Sequence, residues 1–271
     1  MTDPVISGQA NTQQTQGLND MRTTLGTSSG TPTFNTSSNS KTYFVAFDGT
    51  WNNRNDPSYG PQTNVSLLDQ LATANGVTSQ YYQGVGTYGV APLSWLDAGI
   101  GATISSTARD ATDDFQKWAR AQFEANPSVK IDLAGASFSR GTITHTVFLN
   151  NVYNEGVGKV GYEIYGTDPV SGQQVITGYR EGGYWILPKS DNLGTHLMMD
   201  RVAGPINMVG DAGTKLPPAA NLSVTHLRAQ NENRTEFASE SLKNSDGTID
   251  SRFTEIDGLQ AANDMAWRAA A

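Results

Sequence analysis

The 271-residue chain carries 18 basic against 26 acidic side chains, a formal charge of −8, which excludes the basic face that non-specific nucleic-acid binding requires. It has no cysteine, so disulfides, thiol catalysis and thiolate metal sites are excluded as well. No apolar run approaches the ~20 residues of a bilayer-crossing helix, and the first residues lack the basic and apolar blocks of a secretory signal.

Residues 1–40 are rich in Thr, Ser, Asn, Gln and Gly and bury too little apolar surface to offset their ordering entropy. They are expected to be a mostly disordered tail ahead of one folded domain, 41–271. "KTYFVAFDGTW" opens that domain. Its continuous apolar run Tyr43–Phe47 predicts a buried central strand, and "DGTWNNRNDPSYGP" a long loop. "TNVSLLDQLATANG" predicts a helix capped by Asn64, with Leu67, Leu68 and Leu71 on one side. "SQYYQGVG" is a second strand. Residues 89–106 mix glycines with Leu93, Trp95, Leu96 and Ile100, the composition of a lid or of plain core.

From Thr107 to Glu124, Ala108, Ala111, Phe115, Trp118, Ala119 and Phe123 recur at helical spacing. "NPSVKIDLAGA" ends that helix and enters a strand, and "SFSRGTITHTVFLNN" follows as a sharp turn and helix. Further strands are expected at "KVGYEIYGTDPV", in a hairpin around Glu181–Gly183, at "THLMMDRVAG" and at the start of "NLSVTHLRAQNENRTEF", a short strand running into a helix. The fold class is α/β, an α/β-hydrolase-like, mostly parallel sheet flanked by helices.

A serine hydroxyl becomes a nucleophile when a strained strand-to-helix turn exposes it beside a base and oxyanion donors. "S-F-S-R-G" places Ser139 at that position with Gly141 two residues later, and Ser137 stands where a glycine is usual. The alternative is that Ser139 only caps the following helix.

The base must be one of three histidines. His145 lies in the helix directly after the turn and His196 on or just before a strand, and both are read as structural. His226 follows the last strand candidate and is the expected base. Asp200, closing "THLMMD", is the expected acid, ahead of Asp168 in "YGTDPVSG" and Asp211 in a loop. Backbone N–H groups of Arg140, Gly49 and Thr50 are the expected oxyanion donors. Asp48 is either a support for the Gly49–Thr50 loop or a simple turn aspartate.

"FVAFDGTWNN", "TNV", "YYQGVGT", "GASFSRG", "MMDRVAG" and "THLRAQNENRTEF" in this order resemble the DUF2235 family of α/β-hydrolases, which includes type VI secretion (phospho)lipase effectors of the Tle1 kind. The resemblance spans roughly residues 41–240. It implies a serine hydrolase acting on lipid esters, with Ser139 as nucleophile, His226 as base, and Glu232 and Arg234 as an ion pair positioning a helix. "YGTDPVSG" followed by "MMDRVAGP" is also similar to the strand pair of class 3 lipases, where the second aspartate serves the triad.

The resemblance further implies a lipid or ester substrate, a membrane surface, and an immunity or delivery protein as partners. It implies a bacterial protein exported as an effector, cytoplasmic otherwise. No motif supports a cofactor or metal, and Ca²⁺ on loop carboxylates such as Asp48 or Asp56 stays compatible with the sequence. The competing functions are a soluble carboxylesterase and a catalytically idle hydrolase-fold binding module.

Overall fold

The computed structural model describes residues 39–87, 103–158, 163–179, 185–187, 193–202, 213, 215–219, 221–228 and 254–257. The expectations for the tail, for most of the glycine-rich stretch 89–106, for Asp211, and for Glu232 and Arg234 lie outside the described residues.

The apolar run after Ser40 forms β1 (Ser40–Phe47), buried on both faces, as a strand covered by helices on each side must be. Helix α1 (Asn64–Ala74) follows, capped by Thr63, whose hydroxyl accepts from Ser66 N–H at 3.2 Å. The cap is thus one residue earlier than the Asn64 expected. The buried stripe of α1 is Val65, Ser66, Asp69 and Ala72, with Leu68 packed beside it. Leu67 and Leu71 face solvent instead.

Strand β2 (Thr78–Tyr82) is next, then α2 (Ile104–Ala125), whose Ile104, Ala108, Ala111, Phe115 and Ala119 make one buried stripe. Strand β3 (Lys130–Phe138) leads into α3 (Gly141–Glu155). A buried ion pair clamps the two helices, Arg109 of α2 donating to both Glu155 oxygens at 2.9 and 2.6 Å.

Four short strands follow: β4 (Val157–Gly158), β5 (Glu163–Thr167), β6 (Gln174–Tyr179) and β7 (Trp185–Leu187). They pair as two separate ribbons, β4 with β7 and β5 with β6. The turn expected around Glu181–Gly183 lies outside the described residues, and β6 and β7 each pair with another strand, while a hairpin turns at Asp168–Gly172. Asp168 drives this: its Oδ1 accepts from Val170 N–H, Ser171 N–H and Ser171 Oγ.

Strands β8 (Thr195–Met199), β9 (Ser223–Arg228) and β10 (Thr254–Asp257) return to the main sheet. That sheet has six strands in the order β10-β9-β8-β3-β1-β2, every neighbour parallel. Strand order reverses between β1 and β3. Right-handed crossovers then put α1 on one face and α2 and α3 on the other. The two buried clusters match: Phe44, Ala46, Ala136 and Phe138 pack with Val65 and Ala72, while Tyr43, Val45, Phe47 and Leu133 pack with Phe115, Ile143 and Phe148. The chain is an α/β protein with a parallel sheet flanked by helices, and the carboxyl ends of β1 and β3 mark its reversal point, the place where open parallel sheets generally bind their ligands.

Candidate active site at the carboxyl ends of the central strands

Among the described residues, three non-glycine residues have left-handed backbone: Trp51 (φ 59°), Ser139 (φ 53°) and Asp200 (φ 47°). Each costs about 1–3 kcal/mol, a cost that clusters at functional sites. Trp51 lies in the loop leaving β1, Ser139 directly follows β3, and Asp200 directly follows β8. These strands are neighbours in the middle of the sheet, so the strain gathers at their carboxyl ends.

Ser139 is the corner itself. Its N–H donates to Met199 O at 2.9 Å, and its carbonyl accepts from Thr142 N–H and Oγ at 3.1 and 2.7 Å. Helix α3 takes Arg140 as its N-cap with no side-chain cap bond, so Ser139 is not a capping serine. Its hydroxyl makes no hydrogen bond among the described residues. A Cβ on Gly141 would lie 2.4 Å from Phe47 O and 2.5 Å from Asp48 O. Only glycine lets the first turn of α3 sit on the end of β1, which is the physical content of the S-R-G step.

The loop leaving β1 is held by a buried carboxylate. Asp48 Oδ2 accepts from Thr63 Oγ at 2.8 Å and Tyr81 OH at 2.7 Å, and Oδ1 accepts from Gly49 N–H at 2.8 Å. Burial raises the Asp48 pKa, and these donors oppose the rise. Burial and the Asp48 charge push the Tyr81 phenol upward, which keeps it a donor. The sequence reading missed Thr63 and Tyr81, although both lie in stretches it singled out ("TNV" and "YYQGVGT").

Gly49 is therefore not an oxyanion donor: its N–H is spent on Asp48. Its role is close packing, since a Cβ there would be 2.7 Å from Phe138 Cδ1. That contact seats the loop against the residue preceding Ser139. Thr50 is the available donor. Among the described residues its buried Oγ1 makes no hydrogen bond and its N–H donates to none.

Asp48 and Asp56 are both engaged by donors, Asp56 accepting from Ser58 N–H and Oγ. Among the described residues no cluster of three or more His, Asp or Glu is placed to hold a metal.

His226 lies inside β9, opposite Met198 of β8 and Glu255 of β10, rather than after the last strand. It is fully buried, and its Nε2 accepts from Arg201 N–H at 3.3 Å. That bond leaves the imidazole proton on Nδ1. The structure does not join His226 to Ser139 by a hydrogen bond. Asp200 stands at a strand end as expected, buried, its N–H donating to Leu227 O. Asp168 does not belong to this site: it sits on the β5–β6 ribbon as a turn-forming carboxylate.

His145 and His196 form a buried pair. His145 Nδ1 lies 3.0 Å from Ser137 Oγ, His145 Nε2 lies 2.9 Å from His196 Nδ1, and His196 Nε2 lies 2.6 Å from Leu193 O. Burial pushes His196 down to about 4, opposed by its bond to Leu193 O, and lowers His145 well below the ordinary range. The unfolded histidine titrates near ~6.5. As pH falls below that value the unfolded chain binds protons that the folded chain refuses until about pH 4. Stability is thus expected to fall between about pH 6.5 and 4, by roughly 3 kcal/mol from His196 alone. Urea midpoints across that range, compared with a His145→Leu/His196→Leu variant, test it. An equal slope in both proteins would show the pair contributes nothing.

No known protein family matches the chain, and no curated protein is similar to it. A solved structure described as the crystal structure of an uncharacterized protein from Pseudomonas aeruginosa aligns with TM-score 0.44 and 14 % identity. The alignment covers 92 % of this chain, which spans 44 % of that protein.

Proposed function

We propose that this chain is a serine hydrolase of carboxylic esters, with Ser139 as the acylated nucleophile. The observation that carries the reading is the Ser139 corner: a left-handed serine, its hydroxyl free of any described partner, at the strand-order reversal of a parallel sheet. In this reading Ser139 Oγ attacks the ester carbonyl. Thr50 supplies oxyanion donors through its N–H and its hydroxyl, and Arg140 N–H adds a third from the start of α3. His226 takes the serine proton and returns it to the leaving alcohol, with Asp200 orienting the imidazole. For that, Nε2 exchanges the Arg201 amide for the serine hydroxyl, so the Asp200–Arg201 corner moves before chemistry.

The substrate class, lipid esters with an apolar acyl chain, comes from the motif resemblance. Trp51, 39 % exposed beside Thr50, adds an apolar group to the same loop. A membrane surface as partner and export as an effector belong to this proposal.

A second reading, a hydrolase fold kept for binding without turnover, is favoured by one specific observation: all three histidines are fully buried, and none is hydrogen-bonded to Ser139. Fluorophosphonate labelling separates the two. One phosphonyl group per chain, on Ser139, is expected of the hydrolase, and no labelling of the idle module. A rate that jumps once the substrate forms micelles then marks a lipase, and one indifferent to aggregation a soluble carboxylesterase.

A further inference from the structure

The buried Ser137–His145–His196 array has a direction, set by a single atom. Leu193 O only accepts, so His196 Nε2 carries a proton and donates. Neutral His196 then accepts at Nδ1 from His145 Nε2–H, and His145 accepts at Nδ1 from the Ser137 hydroxyl. The three donors all point the same way, from β3 through α3 to β8. Gly135 makes room: a Cβ there would be 2.9 Å from His145 Cε1 and Nε2. Phe47 and Phe148 pack on the His145 ring at centroid distances of 5.2 and 6.3 Å.

Apolar side chains would fill this space without the desolvation that buried polar groups cost. What the array supplies instead is directional register. Ser137 precedes the Ser139 corner by two residues, His145 is on the helix that corner begins, and His196 is on the strand that ends at Asp200. We infer that the Ser137–His145–His196 chain is a positioning device that holds the Ser139 and Asp200 corners in register. The inference rests on the proposed reading only in assigning those two corners to the site.

The test compares His145→Leu with His145→Gln, whose amide can both accept from Ser137 and donate to His196. Amide exchange at Ser139 and Asp200, bonded to Met199 O and Leu227 O, reports the corners without any activity assay. Exchange there is expected to be about tenfold faster in His145→Leu. Amides of β2, such as Tyr81, should be unchanged, and His145→Gln should restore the wild-type rates. Equal acceleration at β2, or no change at the corners, overturns the inference. Should the leucine variant not fold, the wild-type imidazole ¹⁵N shifts decide: both rings must be protonated at Nε2 at pH 7, and any other tautomer overturns the directed chain. Fluorophosphonate labelling of the same wild-type sample tests the hydrolase reading separately, so either can fail alone.

Discussion

Replacing Ser139 with alanine is expected to abolish p-nitrophenyl ester hydrolysis, by a factor on the order of 10⁵ or more, and to eliminate fluorophosphonate labelling, while the protein stays folded. The hydroxyl has no described hydrogen bond to lose, so its removal leaves no orphaned partner among the described residues. A companion substitution makes the result diagnostic of the corner itself. Ser139→Ala keeps a Cβ at φ 53°, where a left-handed L-residue costs roughly 1–2 kcal/mol, whereas Ser139→Gly removes that cost and adds unfolded-chain entropy of roughly 0.5–1 kcal/mol. The glycine variant should therefore unfold at an equal or higher urea concentration than the alanine variant, and both should be inactive. Hydrolysis surviving in either would remove Ser139 from the chemistry. A glycine variant clearly less stable than alanine would mean the corner is not strained.

Much of the fold was legible because each central strand is an apolar run of its own, bounded by glycine, proline or asparagine. Tyr43–Phe47 announces a buried strand, "VKIDLAGA" enters another, and Thr107–Glu124 has unbroken helical spacing. The Ser139 corner was legible for a local reason too: the strand, small residues and helix are contiguous in sequence. Elements fixed by distant partners were not. In "NLSVTHLRAQNENRTEF", Val224 and Leu227 are core residues on opposite faces, and nothing local says that pairing continues past His226, with β8 to Leu227 and with β10 to Arg228. A histidine expected just after the strand therefore belongs to it.

Asp168 misled for the opposite reason. Its D-P-V-S-G context encodes a tight turn, and only the topology shows that the turn belongs to a ribbon outside the main sheet. Gly49 was chosen as an oxyanion donor because glycine permits close approach, which it does against Phe138. Whether its N–H was already engaged depended on the Asp48 carboxylate, fixed in turn by Thr63 and Tyr81 from elsewhere in the chain.

Thr50→Val should raise stability and lower turnover together, an opposition that few single substitutions give. The Thr50 hydroxyl is buried without a hydrogen-bond partner among the described residues. Such an orphan costs about 1–3 kcal/mol, and valine keeps the shape of threonine while removing it, so the urea midpoint should rise. If that hydroxyl is spared for a developing oxyanion, its loss should lower kcat by about 10²–10³. KM should change little, because the charge it meets appears only in the transition state. Thr50→Ser, which keeps the hydroxyl and drops a methyl, should show neither change, being slightly less stable with near full turnover. A valine variant that is more stable and fully active would show that the orphaned hydroxyl serves no catalytic purpose, leaving the oxyanion to backbone donors. A valine variant that is less stable would show that the hydroxyl has a structural partner in solution. The combination expected here, stability gained and kcat lost at one atom, is the signature of a polar group held ready for a charge that exists only during the reaction.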